Sequence, residues 1–222
     1  MKKYEMTDET KTLDGAVLHR IRAVRDFTLA DGTEVKEGDI GGWVEKEDNL
    51  SQIGEAWVFG EACVYGKARV CDRACVFGEA CVSGEACVFG EACVFGEARV
   101  CDRACVYGKA CVFGEARVCA RAWVFGEACV SGEACVSDIN DYATFKNTWS
   151  SGRWFTYTRS DKMWKVGCFR GTGDELIAKA YKDSELSGRC YEAIVRAQEA
   201  IDRAVEKKEA EMTAEMTKEK TK

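Results

Sequence analysis

The sequence predicts a mainly β fold: a solenoid of short strands over residues 54–137, preceded by an N-terminal β cap and followed by a small α+β module. Two observations predict the solenoid. Valine recurs every six residues from Val58 to Val136, and an alanine stands two residues before each one. The residue just before each alanine is always Glu, Lys or Arg. Side chains alternate across a strand, so each Ala shares a face with its Val. An unpaired buried charge is costly, so the charged set faces water and the Ala–Val set lines a narrow interior. Glycine follows most valines by two residues and supplies the corner between strands. Asp replaces it at 72, 102 and 138, and Ala at 120.

The flanking elements follow in order. Residues 1–53 read as the β cap. Asp14-Gly15 is a hairpin signal between Lys11-Thr12-Leu13 and the run from Val17 to Val24. Val35, Ile40, Trp43 and Val44 are expected to cover the first coil. His19, the one histidine, alternates with Val17 and Ile21 and reads as structural. Residues 138–211 read as an α+β module of three short strands and two helices. The strands are Tyr142 to Phe145, Arg153 to Arg159 and Met163 to Phe169, with a tight turn at Ser160-Asp161. Thr172-Gly173-Asp174-Glu175 opens the first helix, with acids in its first turn to suit the helix dipole. The second runs from about Ser187 to Glu211 and packs on the module through Tyr191, Ile194, Ile201 and Val205. Gln198 and Lys208 break a heptad reading, which disfavours a coiled coil. Residues 212–222 read as a charged, frayed tail.

The repeat unit, as in Val76-Phe77-Gly78-Glu79-Ala80-Cys81, resembles the hexapeptide repeats of left-handed parallel β-helices. The resemblance implies left-handedness and a triangular coil of about 18 residues, three repeats to a coil. LHRIRAVRDF (18–27) and GDIGGWVEKEDNLSQIGEAWV (38–58) are similar to the N-terminal part of uncharacterised bacterial and phage hexapeptide-repeat proteins. MWKVGCFRGTGDELIAKA (163–180) is similar to the C-terminal module of the phage and prophage members. That family is described as polymer-forming or transferase-like.

A coil of that length stacks residues eighteen apart. One outward column then holds Phe59, Phe77, Phe95, Phe113 and Ser131. A second holds Cys71, Phe89, Tyr107 and Phe125. The third holds Tyr65, Ser83, Cys101, Cys119 and Ser137, beside Arg99 and Arg117. The seven aromatic residues of the first two columns are the candidate partner-binding wall. Stacked rings stabilise neighbouring rungs, and a large apolar wall also suits an interface. At the corners, Glu55, Arg73, Glu91, Lys109 and Glu127 alternate in sign, as cross-coil ion pairs would. Glu61, Glu79, Glu97, Glu115 and Glu133 form an all-acidic edge.

Twelve of the fourteen cysteines fall in the repeat, nine between Ala and Val and three just after Val. Both slots point outward, so cysteine reads as filler spread by repeat duplication. Columns such as Cys75-Cys93-Cys111-Cys129 place thiols about 4.8 Å apart, inside the Cα range of disulfides. No C-x-x-C pair occurs, and a flat column diverges where zinc wants convergent ligands. Soft-metal and redox roles remain as alternatives.

The chemistry expected is correspondingly sparse. Residues 1–53, 54–137 and 138–222 carry net charges of −4, −3 and +1, so no region offers the basic surplus that nucleic acid needs. No apolar run approaches a membrane span and the N-terminus has no signal-peptide core, so the expected location is cytoplasmic and reducing. Acyltransferases of the left-handed β-helix class use a histidine at a coil edge and a projecting loop. Here His19 precedes the repeat and no loop interrupts it. Ice-binding faces want threonine columns, and the repeat contains no threonine. The expectation is therefore a non-catalytic structural or protein-interaction solenoid, phage- or prophage-encoded, binding a protein partner or itself as a homo-oligomer. It assigns no catalytic residue, no cofactor and no metal. The alternatives are an acyl- or nucleotidyl-transferase-like protein and thiol-dependent metal binding.

Overall fold

The computed structural model describes residues 2–220. The chain opens with a long hairpin, β1 (Tyr4–Leu13) and β2 (Ala16–Ala23), then a short one, β3 (Phe27–Thr28) and β4 (Glu34–Val35), then β5 (Ile40–Val44). Fourteen two-residue strands follow among the described residues, β6 (Trp57–Val58) to β19 (Cys135–Val136), each ending on a repeat valine. They stack into three parallel sheets, one of which β5 extends at the N-terminal end by pairing with β7 (Cys63–Val64), and make a solenoid of about five turns. Residues eighteen apart pair in register, as Cys81 with Arg99, Cys87 with Cys105 and Cys93 with Cys111. The interior is the Ala–Val set: every repeat alanine from Ala56 to Ala134 and every repeat valine from Val58 to Val136 is at most 1% exposed.

The residue that opens each strand and the residue that follows it donate their N–H groups to carbonyls one coil further on, as Trp57 N to Ala74 O (3.0 Å) and Phe59 N to Val76 O (2.8 Å). At the open end of the first coil the carbonyls that would accept such bonds have no coil before them, and at the last coil the N–H groups that would give them have none after; both must find partners. Donors meet the first set. The buried Lys3 ammonium donates to Ala56 O at 2.7 Å, Asn49 Nδ2 to Ala68 O at 2.8 Å and Arg20 to Gly60 O at 2.8 Å. Acceptors meet the second. Cys129 N donates to Thr156 Oγ1 and Cys135 N to Ser160 Oγ, both at 2.8 Å, and Ser137 N to Asp141 Oδ2 at 2.7 Å.

From Gly54 to Gly132 the corner residues sit in the left-handed region, Gly108 at φ +76° for example, whereas Asp138, expected as a further corner, is extended at φ −138° and caps the short 3-10 turn Ile139–Asp141. Asp72 (+59°) and Asp102 (+57°) are left-handed too, and each carboxylate accepts from a backbone N–H on the next coil: Gly90 N at 3.2 Å and Ala120 N at 3.0 Å. Ala120 (+54°) has no side-chain acceptor to offer. A non-glycine residue there costs about 1–2 kcal/mol, and glycine's extra chain entropy takes back about 0.5–1 kcal/mol. Ala120→Gly is therefore expected to raise stability by up to ~1 kcal/mol, read as a higher urea midpoint under reducing conditions.

In the N-terminal region Asp14 (φ 51°) and Gly15 (φ 84°) form the predicted turn, both left-handed as a two-residue hairpin of the I′ type requires. Val35, Trp43 and Val44 are buried as expected, but Ile40 is 52% exposed. Ile40 pairs with Arg22 just past an irregularity in the β2–β5 register, which turns its side chain outward. The same β2 buries Leu18 and Ile21 while Val17 is 51% exposed, so a strict alternation through Val17, His19 and Ile21 does not hold. His19 Nδ1 lies 3.1 Å from Thr7 O on β1, a contact within the hairpin.

The C-terminal module has four strands where three were expected: β20 (Tyr142–Lys146), β21 (Trp154–Thr158), β22 (Met163–Val166) and β23 (Phe169–Gly171), all antiparallel. Gly167 at φ +54° turns the expected Met163–Phe169 strand back on itself. Helix α1 (Gly173–Asp183) begins at Thr172, whose hydroxyl accepts from Glu175 N while Glu175 accepts from Thr172 N. Helix α2 (Glu185–Lys220) runs well past Glu211. The expected frayed tail is helical through Lys220, with the Thr213 and Thr217 hydroxyls donating one turn back to Glu209 O and Thr213 O; residues 221–222 lie outside the described residues. The buried side of α2 matches the expected stripe at Tyr191 and Ile194, which pack on the module's core, and departs from it further along. Val195, Gln198 and Asp202 face the sheet, whereas Ile201 is 53% exposed. Gln198 looks like an interruption only until its partner is seen. Its amide donates to the buried Asp202 carboxylate at 3.0 Å, which also accepts from the Tyr157 hydroxyl of β21.

Candidate interaction faces

Position along the repeat decides which side chains reach the outer walls, and the coil length decides which of them touch. The residue after each valine points outward, and an eighteen-residue turn sets it over its counterpart on the next coil. On the sheet of β6, β9 (Cys75–Val76), β12 (Cys93–Val94), β15 (Cys111–Val112) and β18 (Cys129–Val130), Phe77, Phe95 and Phe113 form a parallel stack. Their centroids are 4.7 and 4.8 Å apart and their planes 1° and 5° from parallel. On the sheet of β8 (Arg69–Val70), β11 (Cys87–Val88), β14 (Cys105–Val106) and β17 (Trp123–Val124), Phe89, Tyr107 and Phe125 stack at 4.9 and 5.4 Å. Tyr142 closes the second ladder edge-on at 6.4 Å from Phe125.

Six of the seven predicted wall residues thus fall into ladders, and Phe59 does not. Its ring stands edge-on to Trp57 (6.4 Å, 82°), and among the described residues no ring contact joins it to Phe77. Trp57 occupies a slot that is cysteine on the next coil. It is fully buried, with Phe27 of β3 packed on it at 5.3 Å. The ladder residues are half-buried except Phe125, at 41% exposed. Beside Phe125 on the same face lies Trp123, at 51% exposed. The first ladder is flanked at both ends, by the β3–β4 hairpin and by the C-terminal module. Lys165 sits over Phe113 at 5.4 Å, and Ser131, expected on the open wall, is 4% exposed under that module.

The expected alternating corner ladder closes in its middle, Arg73 to Glu91 at 3.2 Å and Lys109 to Glu91 at 3.7 Å. A column not foreseen does likewise, Lys67 and Arg103 both reaching Glu85 at 2.9 and 3.1 Å. The signal was there, since those residues stand eighteen apart. On the acidic edge Glu61 is engaged by Lys11, Arg20 and the Trp43 indole N–H; desolvation opposes these bonds, which together hold its carboxyl below the usual range.

All fourteen cysteines are free thiols. The outward slots are less open than alternation implies: Cys63 and Cys75 are buried under the N-terminal elements and most others are half-buried. Burial pushes the Cys75 thiol up to about 12, with neighbouring Cys93 adding to it. Cys93 and Cys111, partners in adjacent strands, share a thiol–thiol hydrogen bond that raises the first and lowers the second. Among the described residues no group of three or more His, Cys, Asp or Glu side chains is arranged to hold a metal ion, and no helix is long and apolar enough to cross a membrane.

Fold and walls together define a class, the parallel β-solenoid of short repeats with aromatic ladders on two of its three sides. Compared with known proteins, the chain matches no family model and no curated protein sequence.

Proposed function

We propose that the protein is a non-catalytic interaction solenoid that associates with a second copy of itself through the Phe89–Tyr107–Phe125 wall. Trp123 and Phe125 carry this reading: two large apolar side chains, 51% and 41% exposed, side by side at the end of a parallel ring stack. Exposed apolar surface of this kind marks interfaces. A flat wall of regular spacing can meet its own copy about a two-fold axis, which is the commonest route to a homodimer. In this reading the solenoid is left-handed, residues 1–53 are its cap and the chain stands with the phage and prophage hexapeptide-repeat proteins.

Sedimentation velocity of the reduced protein tests the reading against a Trp123→Ser/Phe125→Ser variant. The wild type is expected to sediment as a dimer and the variant as a monomer with an unchanged circular dichroism spectrum. A monomeric wild type, or a variant that still dimerises, overturns it.

A further inference from the structure

The lower end of the other ladder holds a cavity of about 500 Å³, a volume within the range of small-molecule sites. The tip of the β3–β4 hairpin, Leu29 to Thr33, overhangs it. Phe59 and Phe77 form its aromatic walls and the Cys75 and Cys93 side chains its floor. Its position follows from one break in the repeat. Phe77 is stacked on its upper side by Phe95, but Phe59, which the coil length assigns to its lower side, has turned edge-on to Trp57. The lower face of Phe77 is thus a ring face without a ring, beside an apolar cavity.

We propose that this groove binds an uncharged planar aromatic molecule, which stacks beneath Phe77 in the place that Phe59 leaves. The aromatic class follows from the stack, since offset-parallel ring pairs gain beyond area burial alone. Absence of charge follows from the rim. Arg73 and Lys109 both reach Glu91, at 3.2 and 3.7 Å, and Asp31 accepts from Thr33 N at 2.9 Å within the hairpin tip. The two positive and two negative rim groups cancel, so a charged ligand would lose hydration without a net counter-charge. The floor agrees: the Cys75 thiol, pushed up to about 12, is neutral at ordinary pH, and sulfur packs well against ring edges.

The test is an NMR titration of the reduced full chain with 2-naphthol, following the Leu29 and Ala30 methyl signals. Its saturated analogue decahydro-2-naphthol and the anion 2-naphthalenesulfonate serve as comparisons. Saturable shifts are expected with 2-naphthol, with affinity about tenfold weaker for the saturated analogue and no tighter for the sulfonate. Phe77→Leu keeps the apolar volume and removes the ring face; it is expected to weaken 2-naphthol about tenfold. Ala30→Trp, at an exposed position of the hairpin tip, fills the groove and abolishes binding even if the Phe77 variant misfolds. Shifts that do not saturate, equal affinity for the saturated analogue, or binding that survives Ala30→Trp would each overturn the proposal. The site lies on a different sheet from Trp123 and Phe125, so its failure and that of the dimer are read separately.

Discussion

Ala98→Leu is expected to cost at least about 3 kcal/mol, while Arg99→Leu, one residue on, changes stability by less than about 0.5 kcal/mol. Ala98 is fully buried at mid-solenoid. Eighteen-residue stacking sets it between Ala80 and Ala116. The coils above and below are fixed by Cys81 N to Ala98 O and Arg99 N to Ala116 O, both 2.9 Å, so they cannot separate to admit an isobutyl group without breaking the ladder. Overpacking usually costs about 1–3 kcal/mol where neighbours can shift. Here the neighbours are strands of only two residues with little slack, which places the cost at or above the upper end. Arg99 lies on the outer face and is exposed, so its replacement leaves the interior untouched. Urea denaturation of both variants with reductant present is the measurement. Equal losses from the two would mean that Ala98 does not face a closed interior.

The Ala–Val interior was legible because two rules agreed: alternation fixed which residues share a face, and the cost of burying charge fixed which face is inside. The ladders were legible once a coil length was assumed. What escaped had non-local causes. Phe59 leaves its column because Trp57 fills a slot that holds cysteine one coil later, and because Phe27, thirty residues upstream in a two-residue strand, packs on that indole. A two-residue strand has no periodicity, so the β3–β4 hairpin and the groove beneath it left no pattern to read. Ile40 was expected to cover the first coil because it is apolar, but it pairs with Arg22 beside a register irregularity that composition does not reveal, and it is exposed. On α2 the buried face carries Gln198 and Asp202, polar residues admitted because they bond each other and Tyr157. A stripe defined by hydrophobicity alone rotates away from such a pair and selects Ile201 instead. The helix end was placed too early for a related reason. Charge alone suggested fraying, but helix formers such as Glu, Lys, Ala and Met continue to Lys220.

Raising the pH above about 9 is expected to lower stability steeply in reducing buffer, and the cysteines are the cause. Cys63, Cys71, Cys75, Cys81, Cys101, Cys105 and Cys129 all hold their protons more tightly in the fold, with desolvation the largest reason in each. Cys93 does so as well, first through its bond to Cys111 and then through burial. Cys101 is pushed up to about 11 and Cys75 to about 12. In the unfolded chain these thiols ionise near pH 8.5. Below that pH both states are protonated and the thiols' contribution is whole. As the pH rises further, the unfolded state sheds protons that the folded state keeps, and the contribution drains away; in the fold Cys101 titrates only at about 11 and Cys75 at about 12. Two groups oppose this. Cys111 is lowered by its bond from Cys93. Lys3, lowered to about 8 by burial and then by Arg25, adds stability as the pH climbs from there towards the ordinary lysine range. Two opposing groups cannot offset eight thiols, each contributing up to about 1.4 kcal/mol per pH unit and less where half exposed. The urea midpoint is therefore expected to fall between about pH 8 and about pH 10, and to fall less in Cys75→Val, which has one fewer buried thiol to ionise. A midpoint that stays level or rises across that interval would mean that the thiol columns are open to water, and that the walls they share with the aromatic ladders are less closely packed than the ring spacings imply.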